Sequence, residues 1–300
     1  MNILVSGSSG LIGSALVPFV RSGGHRVVRL VRSRSRRGSD EISWEPDNGR
    51  LDRGDLEGFE AVVHLAGVNI AAGRWTVRQK ARIRDSRAKG TRLLSEALAG
   101  LAHPPQVLVS ASAVGYYGDR GQEILKEESA PGTDFLAGVC REWEAATQPA
   151  AARGVRVVNT RFGMVLCASG GALPKMLTPF RLGLGGVIGS GHQYMPWIAL
   201  DDVVGVVNHA LKVVTLRGAI NTVAPQATTN REFTKTLGRV LSRPTVFPVP
   251  AFMARLALGE MADAFLLSSQ RVEPARLLES GYRFRYPELE GALRHVLRSE

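Results

Sequence analysis

The sequence predicts an α/β fold: a doubly wound parallel sheet followed by a smaller, mostly helical C-terminal region. Three observations carry that prediction. Short runs rich in Val, Ile and Leu recur from the first residues, segments of helical period stand between them, and the strand cores are apolar almost throughout. Strands buried on both faces read that way, because helices cover each side of a parallel sheet.

The elements follow in order. Residues 2–6 (NILVS) form an apolar run that leads directly into Gly7-Ser8-Ser9-Gly10-Leu11-Ile12-Gly13. Leu11, Ile12, Ala15, Leu16, Phe19 and Val20 then repeat at helical spacing until Gly23-Gly24 stops the helix. Residues 25–31 (HRVVRLV) and 61–65 (AVVHL) are the next strands. A long basic helix is expected over 76–98, and a fourth strand over 106–110 after Pro104-Pro105. Residues 135–153 read as a helix with Trp143 on its apolar side, and 156–160 (RVVNT) as a fifth strand. After about residue 165 the chain turns glycine-rich, then resumes with a helix over 201–214 and a strand near Ile220. Residues 230–300 look mostly helical. The expected division is a nucleotide-binding unit over 1–225, with parts of 165–200 reaching the substrate pocket, and a lid over 226–300.

The glycines of the first loop have separate physical tasks. The first lets the strand turn tightly, the second lets backbone approach a pyrophosphate, and the third lets helix and strand pack closely. The helix N-terminus then faces the negative charge. A lone glycine triplet is weak, but this one follows a strand and opens an amphipathic helix within one βαβ span. The reading is a Rossmann-type dinucleotide site contacted by Gly7, Ser9, Gly10, Leu11 and Ile12. The residue ending the second strand chooses the nicotinamide cofactor, since an acid there would bind a ribose hydroxyl and repel a 2′-phosphate. Here Arg32 stands there, followed by Ser33 and Arg34. A guanidinium grips a phosphate with paired charge-assisted bonds, so NADP(H) is the expected cofactor. The competing reading is a solvated basic loop.

The Gly-x-x-Gly-x-x-Gly spacing resembles the short-chain dehydrogenase/reductase superfamily, and further segments narrow the likeness. They are Gly67-Val68-Asn69-Ile70, Gly73-Arg74-Trp75-Thr76, Ile83-Arg84-Asp85-Ser86-Arg87 and Gly90-Thr91. The series continues with residues 110–118 (SASAVGYYG), 161–166 (RFGMVL), Arg271-Val272-Glu273-Pro274 and 281–287 (GYRFRYP). Together they resemble the atypical group called "epimerase family" proteins, related to nucleotide-sugar epimerases, along essentially the whole chain. The resemblance implies an extended Rossmann fold, NADP binding and an unassigned substrate. It also implies that Leu65, Ala66 and Gly67 pass beside the adenine and pyrophosphate. Arg87 falls near the cofactor, where extended members usually carry asparagine, and Met164 reaches the nicotinamide end by its backbone. The plainer alternative for Arg87 is an exposed helix cation, and His64 reads as a packed strand residue.

Members of the superfamily commonly use a Ser, a Tyr and a Lys four residues later. The lysine and the nicotinamide charge lower the tyrosine pKa, so the phenol can pass a proton while hydride moves. Ser112 stands about where the serine belongs. The Tyr-x-x-x-Lys should open the helix at 135, yet Phe135 meets Val139 and Leu136 meets Cys140. Tyr116 and Tyr117 are candidate replacements, with one of them expected to be the structural tyrosine of a "Tyr-Gly" turn. Lys126 and Glu127-Glu128 either border the pocket or are simply solvated. Cys140 has no base nearby in sequence to activate it.

Composition excludes other classes. With 44% hydrophobic and 22% charged residues and no low-complexity tract, the chain is globular. No apolar stretch reaches the roughly 18 residues of a membrane span, and no signal peptide is recognisable. Cys140 and Cys167 make neither a disulfide framework nor a zinc site, so no metal is expected and a reducing cytoplasm fits best. The net charge of +11 could mean a nucleic-acid or anionic-membrane partner. The arginines are spread along the chain, however, with residues 32–37 the one tight cluster, and no nucleic-acid-reading motif accompanies them. The expected partner is a small polar substrate, with nucleic acid ranked last, no membrane, and a homodimer left open. Two functions stand: an NADP-dependent oxidoreductase or epimerase (an isomerase) on a substrate that could be nucleotide-linked, or a cofactor-responsive sensor or scaffold.

Overall fold

A computed structural model describes residues 1–32 and 40–298. Its strands are β1 (Asn2–Ser6), β2 (Arg26–Val31), β3 (Glu41–Ser43), β4 (Ala61–His64), β5 (Val107–Ala113), β6 (Ile124–Leu125), β7 (Arg156–Phe162), β8 (Met164–Leu166), β9 (Trp197–Ala199), β10 (Gly218–Thr222) and β11 (Arg271–Val272). The main helices are α1 (Leu11–Ser22), α2 (Val77–Ala99), α3 (Phe135–Ala145), α4 (Gln148–Ala152), α5 (Leu173–Arg181) and α6 (Leu200–Lys212). They continue with α7 (Asn230–Val240), α8 (Ala251–Leu258), α9 (Glu260–Ala262), α10 (Ala275–Glu279) and α11 (Leu289–Arg298).

Seven parallel strands form the central sheet in the order β3-β2-β1-β4-β5-β7-β10. The order reverses at β1, and in such sheets a crevice opens at the carboxyl ends of the strands beside that point. Alternation along each strand feeds two cores. Ile3, Val5, Val63 and Val109 face α1 and α6, whereas Leu4, Val62 and Leu108 face the Leu94–Leu98 stretch of α2 and Ala150 of α4. The sheet is therefore covered on both faces, as its near-continuous apolar strands require.

Four details depart from the sequence reading. β3 is a short edge strand, where Glu41-Ile42-Ser43 lacks an apolar run, so β5 is the fifth strand of the sheet rather than the fourth. β5 and β7 each run past their expected ends, to Ala113 and Phe162. The helix expected over 135–153 breaks into α3 and α4, with Pro149 in the first turn of α4 where a missing N–H is harmless. Two small parallel pairs, β6–β11 and β8–β9, tie later segments to the edge of the cleft.

The C-terminal region contributes to this body through shared cores. Leu289, Ala292, Leu293 and Val296 of α11 pack with Trp197, Phe180 and Phe233. Asp202, fully buried at the start of α6, accepts hydrogen bonds from the Tyr282 hydroxyl (3.1 Å) and from the backbone N–H groups of Arg285 (2.8 Å) and Tyr286 (3.0 Å).

Candidate dinucleotide site and catalytic wall

β1 delivers the chain to Gly7, which has φ +68. A Cβ there would sit 2.6 Å from the Leu65 carbonyl carbon and 2.8 Å from the Ala66 nitrogen. The left-handed backbone and the close pass of the β4 exit both require glycine. A Cβ on Gly13 would run into the Gly7 carbonyl and the Ser8 backbone, so α1 rests directly on the turn. Gly10 donates its N–H to the Gly7 carbonyl at 3.0 Å and starts α1 with no side-chain cap and no acid in the first turn. The first N–H groups of that helix are left for an anion. Ser9 and Gly10 are exposed, Leu11 and Ile12 half-buried, and Gly170 and Gly171 come down on the Leu11 side chain.

The other expected contacts lie along the same edge. Arg32 follows β2 directly and is exposed; Ser6 is in register with Leu30, which sets Arg32 beside the glycine loop. Ser33 lies outside the described residues. Leu65 and Ala66 line the exit of β4, and Gly67 packs against Arg87, whose guanidinium carbon would be 3.3 Å from a Cβ at that position. Arg87 is no solvated helix cation. It donates to the carbonyls of Val68 (3.0 Å) and Ile83 (3.2 Å) and stacks over Trp143 at 5.0 Å. Burial lowers its pKa, and among the described residues no carboxylate pairs with it. Met164 opens β8, half-buried, with its N–H already bonded to the Pro196 carbonyl at 2.8 Å. His64 is interior: Ser6 Oγ and Thr91 Oγ1 hold its two ring nitrogens at 2.6 and 2.9 Å, and burial pushes its pKa down to about 4.

The wall formed by β5, α3 and β7 holds the catalytic candidates. Ser112 is buried and donates its hydroxyl to Glu144 at 2.7 Å. Arg161 clamps the same carboxylate with Nε at 2.8 Å and a terminal nitrogen at 2.9 Å. Its other terminal nitrogen donates to the Tyr117 hydroxyl (2.9 Å) and the Glu127 carbonyl (3.1 Å). Burial works against the charge on Arg161, yet Glu144 and Tyr117 hold its pKa above the ordinary value. The two tyrosines differ sharply. Tyr117 is 0% exposed, its hydroxyl donates to Asn221 at 2.6 Å, and burial pushes its pKa up to about 12. It has no surface from which to hand a substrate a proton. Tyr116 is half-buried with the Arg161 guanidinium 3.5 Å from its ring centroid, and its hydroxyl has no protein partner among the described residues.

The expected Tyr-x-x-x-Lys positions carry none of this polarity. A Cβ on Gly115 would touch Leu136 at 3.3 Å and Cys140 at 3.9 Å. Cys140 is buried, and burial followed by the Glu144 charge raises its thiol to about 12, so it is inert. Glu127, expected to be solvated or to border the pocket, is buried instead, where it accepts N–H bonds from Asn221 (3.0 Å) and Arg276 (3.3 Å). The Arg161–Glu144 pair escaped the sequence reading, although a charge inside the apolar run RVVNTRF was a usable signal. The aromatic group of Trp75, Phe135 and Phe265, joined edge to face at 5.3 and 5.5 Å, was not foreseeable, since its members are far apart in sequence. Among the described residues no His/Cys/Asp/Glu group could hold a metal, and no helix is long and apolar enough to cross a membrane.

Comparison with known proteins gives two family matches. Residues 3–221 match the NAD dependent epimerase/dehydratase family, and residues 249–296 match a domain of unknown function, DUF1731. The chain is 44% identical over 293 residues to the epimerase family protein Mb2239 of Mycobacterium bovis, covering 97% of this chain and 96% of that one. It resembles the crystal structure of human epimerase family protein SDR39U1 with NADPH, with a TM-score of 0.92, 36% identity and full coverage of both chains. A nucleoside-diphosphate sugar epimerase from Corynebacterium glutamicum matches with a TM-score of 0.82 and 37% identity, covering all of this chain and 59% of that one.

Proposed function

The chain belongs to the NAD dependent epimerase/dehydratase family, and from that premise we propose that it binds NADP(H) and acts on a small polar substrate as an oxidoreductase or epimerase. The carrying observation is the cradle itself: a turn and helix start where Cβ atoms at Gly7 and Gly13 would collide, with an uncapped helix N-terminus. Arg87, a guanidinium without a carboxylate, supports the same reading from the β4 side. The NADPH in the human relative agrees with it. The bound cofactor would supply or accept hydride. The protein's part is to seat the pyrophosphate on Gly7, Ser9, Gly10, Leu11 and Ile12, and the adenine end beside Leu65, Ala66 and Gly67. Arg32 and Ser33 would take the 2′-phosphate, and Met164 would border the nicotinamide.

Proton transfer proceeds without the Tyr-x-x-x-Lys pair in this proposal. Tyr116, with a hydroxyl that has no partner among the described residues and a buried guanidinium stacked over its ring, is the proton donor this reading favours. Ser112 keeps lone pairs to accept from a substrate hydroxyl while its own proton rests on Glu144. A second reading has support of its own. Leu136 and Cys140 pack apolar atoms on Gly115, which suits a cofactor-responsive sensor that has given up hydride transfer.

Titration calorimetry tests the cofactor. NADPH should bind more tightly than NADH, and Arg32→Glu should cost about 1.5 to 3 kcal/mol, or roughly ten- to a hundredfold in NADPH affinity. Equal affinities for the two cofactors in the unmutated chain would defeat the assignment. Loss of a positioned general acid typically costs about 10²- to 10⁴-fold, so a generic carbonyl panel should oxidise NADPH slowly. Fast reduction that survives Ser112→Ala and Tyr116→Phe would show that the catalytic group lies elsewhere.

A further inference from the structure

Large apolar side chains rarely crowd together on the surface of a soluble chain unless something covers them. Of the thirteen that face solvent among the described residues, nine come from residues 182–184 and 246–265. Leu182, Leu184, Phe247, Phe252, Met253 and Leu256 are each more than half exposed. The two segments are neighbours. Val249 donates to the Val187 carbonyl at 2.8 Å, Gly189 donates back to Val249 at 2.9 Å, and Gly186 abuts the Phe247 carbonyl. α8 continues directly from this ribbon.

Charge decides the occupant. Arg181, Lys235, Arg243 and Arg255 border the patch, and Lys235 donates to the Thr245 carbonyl at 2.8 Å. The chain has no acidic residue anywhere in 145–200 or in 233–259. The nearest acids follow α8, where Asp263 pairs with Arg255 at 2.9 Å and Glu260 with Lys80 at 2.6 Å, which leaves Arg181, Lys235 and Arg243 as the cations on the acid-free side. A small substrate cannot cover six large side chains spread over two segments. A second copy of the chain would bring the same cations face to face, on a protein already at +11. An anionic lipid surface meets both features, because acyl chains accept the apolar groups and lipid phosphates attract the cations. We propose that the surface formed by residues 182–187 and 244–258 docks this protein peripherally on an anionic membrane. The sequence alone argued against a membrane because the cations are dispersed along it; folding gathers several of them around one apolar surface.

Co-sedimentation of the full chain with vesicles tests this. Vesicles of phosphatidylcholine with about one third phosphatidylglycerol should carry the protein down, and phosphatidylcholine alone should not. Raising salt from about 0.1 M to about 0.5 M should release it, as the screening length shrinks. Phe252→Asp with Leu256→Asp should lower the bound fraction at least about tenfold. Lys235→Glu with Arg243→Glu reads the same surface without touching an apolar side chain, and should lower binding too. Melting temperature and NADPH affinity of each variant show that the fold is kept. The proposal is overturned if anionic vesicles do not bind the unmutated chain, or if both double variants bind as it does. It is equally overturned if sedimentation shows a dimer that Phe252→Asp with Leu256→Asp splits into monomers.

Discussion

The glycine loop of residues 7–13 and the wall of β5, α3 and β7 stand at the same edge of one sheet but are built in opposite ways. The loop is local: its turn, its helix start and its tight packing come from seven consecutive residues, with the β4 exit against Gly7 and Gly170-Gly171 against Leu11 as long-range neighbours. The wall is assembled from afar. Ser112, Glu144 and Arg161 meet from three elements, and Tyr117 reaches Asn221 more than a hundred residues on. Backbone does the work in the first region, so it leaves the first N–H groups of α1 without a side-chain cap. Side chains do it in the second, and there the polar groups mostly satisfy one another. A site made of backbone depends little on which side chains surround it, whereas in the wall Ser112, Glu144, Arg161 and Tyr117 bond one another or nearby groups and Tyr116 keeps a hydroxyl with no partner among the described residues.

Breaking the wall should have the largest effect. Glu144→Ala strands the Arg161 guanidinium, whose side chain is only 4% exposed, and should cost about 3 to 5 kcal/mol of stability. Chemical denaturation checks it; a cost near that of a surface ion pair would mean that water reaches Arg161 freely. Breaking the loop should read out differently. Gly13→Ala pushes a Cβ into the Gly7 carbonyl and should weaken NADPH at least about a hundredfold, near 2.7 kcal/mol, beyond any loss of stability. An unchanged affinity in calorimetry would detach the loop from the cofactor.

His64 sharpens the comparison, because it ties the loop strand β1 to β4 and α2. The fold holds it neutral, with a pKa near 4 against 6.5 when unfolded. The unfolded chain therefore takes up the proton first. Stability from this group is complete above pH 6.5 and drains away as pH falls toward 4, by about 2 to 3 kcal/mol. Melts across that window measure it, and His64→Gln should flatten the slope while lowering stability at pH 7. The smallest effect separates the tyrosines. Tyr117→Phe should cost about 1 kcal/mol through its lost hydrogen bonds, and Tyr116→Phe less than about 0.5 kcal/mol. A reversed order would exchange their roles.

The strands β1, β2, β4, β5 and β7, the helices α1, α2 and α6, and the glycine loop are legible in the chain. Each is specified by spacing within one stretch: apolar runs of about five residues, helical period, and glycine where a turn admits no Cβ. The cofactor roles of residues 65–67, 87 and 164 came into view only through resemblance to a family. β3 and the small pairs β6–β11 and β8–β9 lack a run long enough to announce themselves, and hold because neighbours supply their hydrogen bonds.

What the tertiary structure alone decided concerns side chains whose meaning depends on a distant partner. Sequence shows Tyr116-Tyr117 as a symmetric pair; Arg161 and Asn221 make one buried and the other free. Sequence offers Glu127 as a loop charge; Asn221 and Arg276 turn it into an interior acceptor. It scatters cations and exposed apolar residues through the last half of the chain, and the ribbon of 183–189 against 244–249 brings them onto one face. Local backbone geometry depends on adjacent residues, so the chain can be read for it directly. Burial and charge pairing depend on which segments meet, and that is a property of the folded chain.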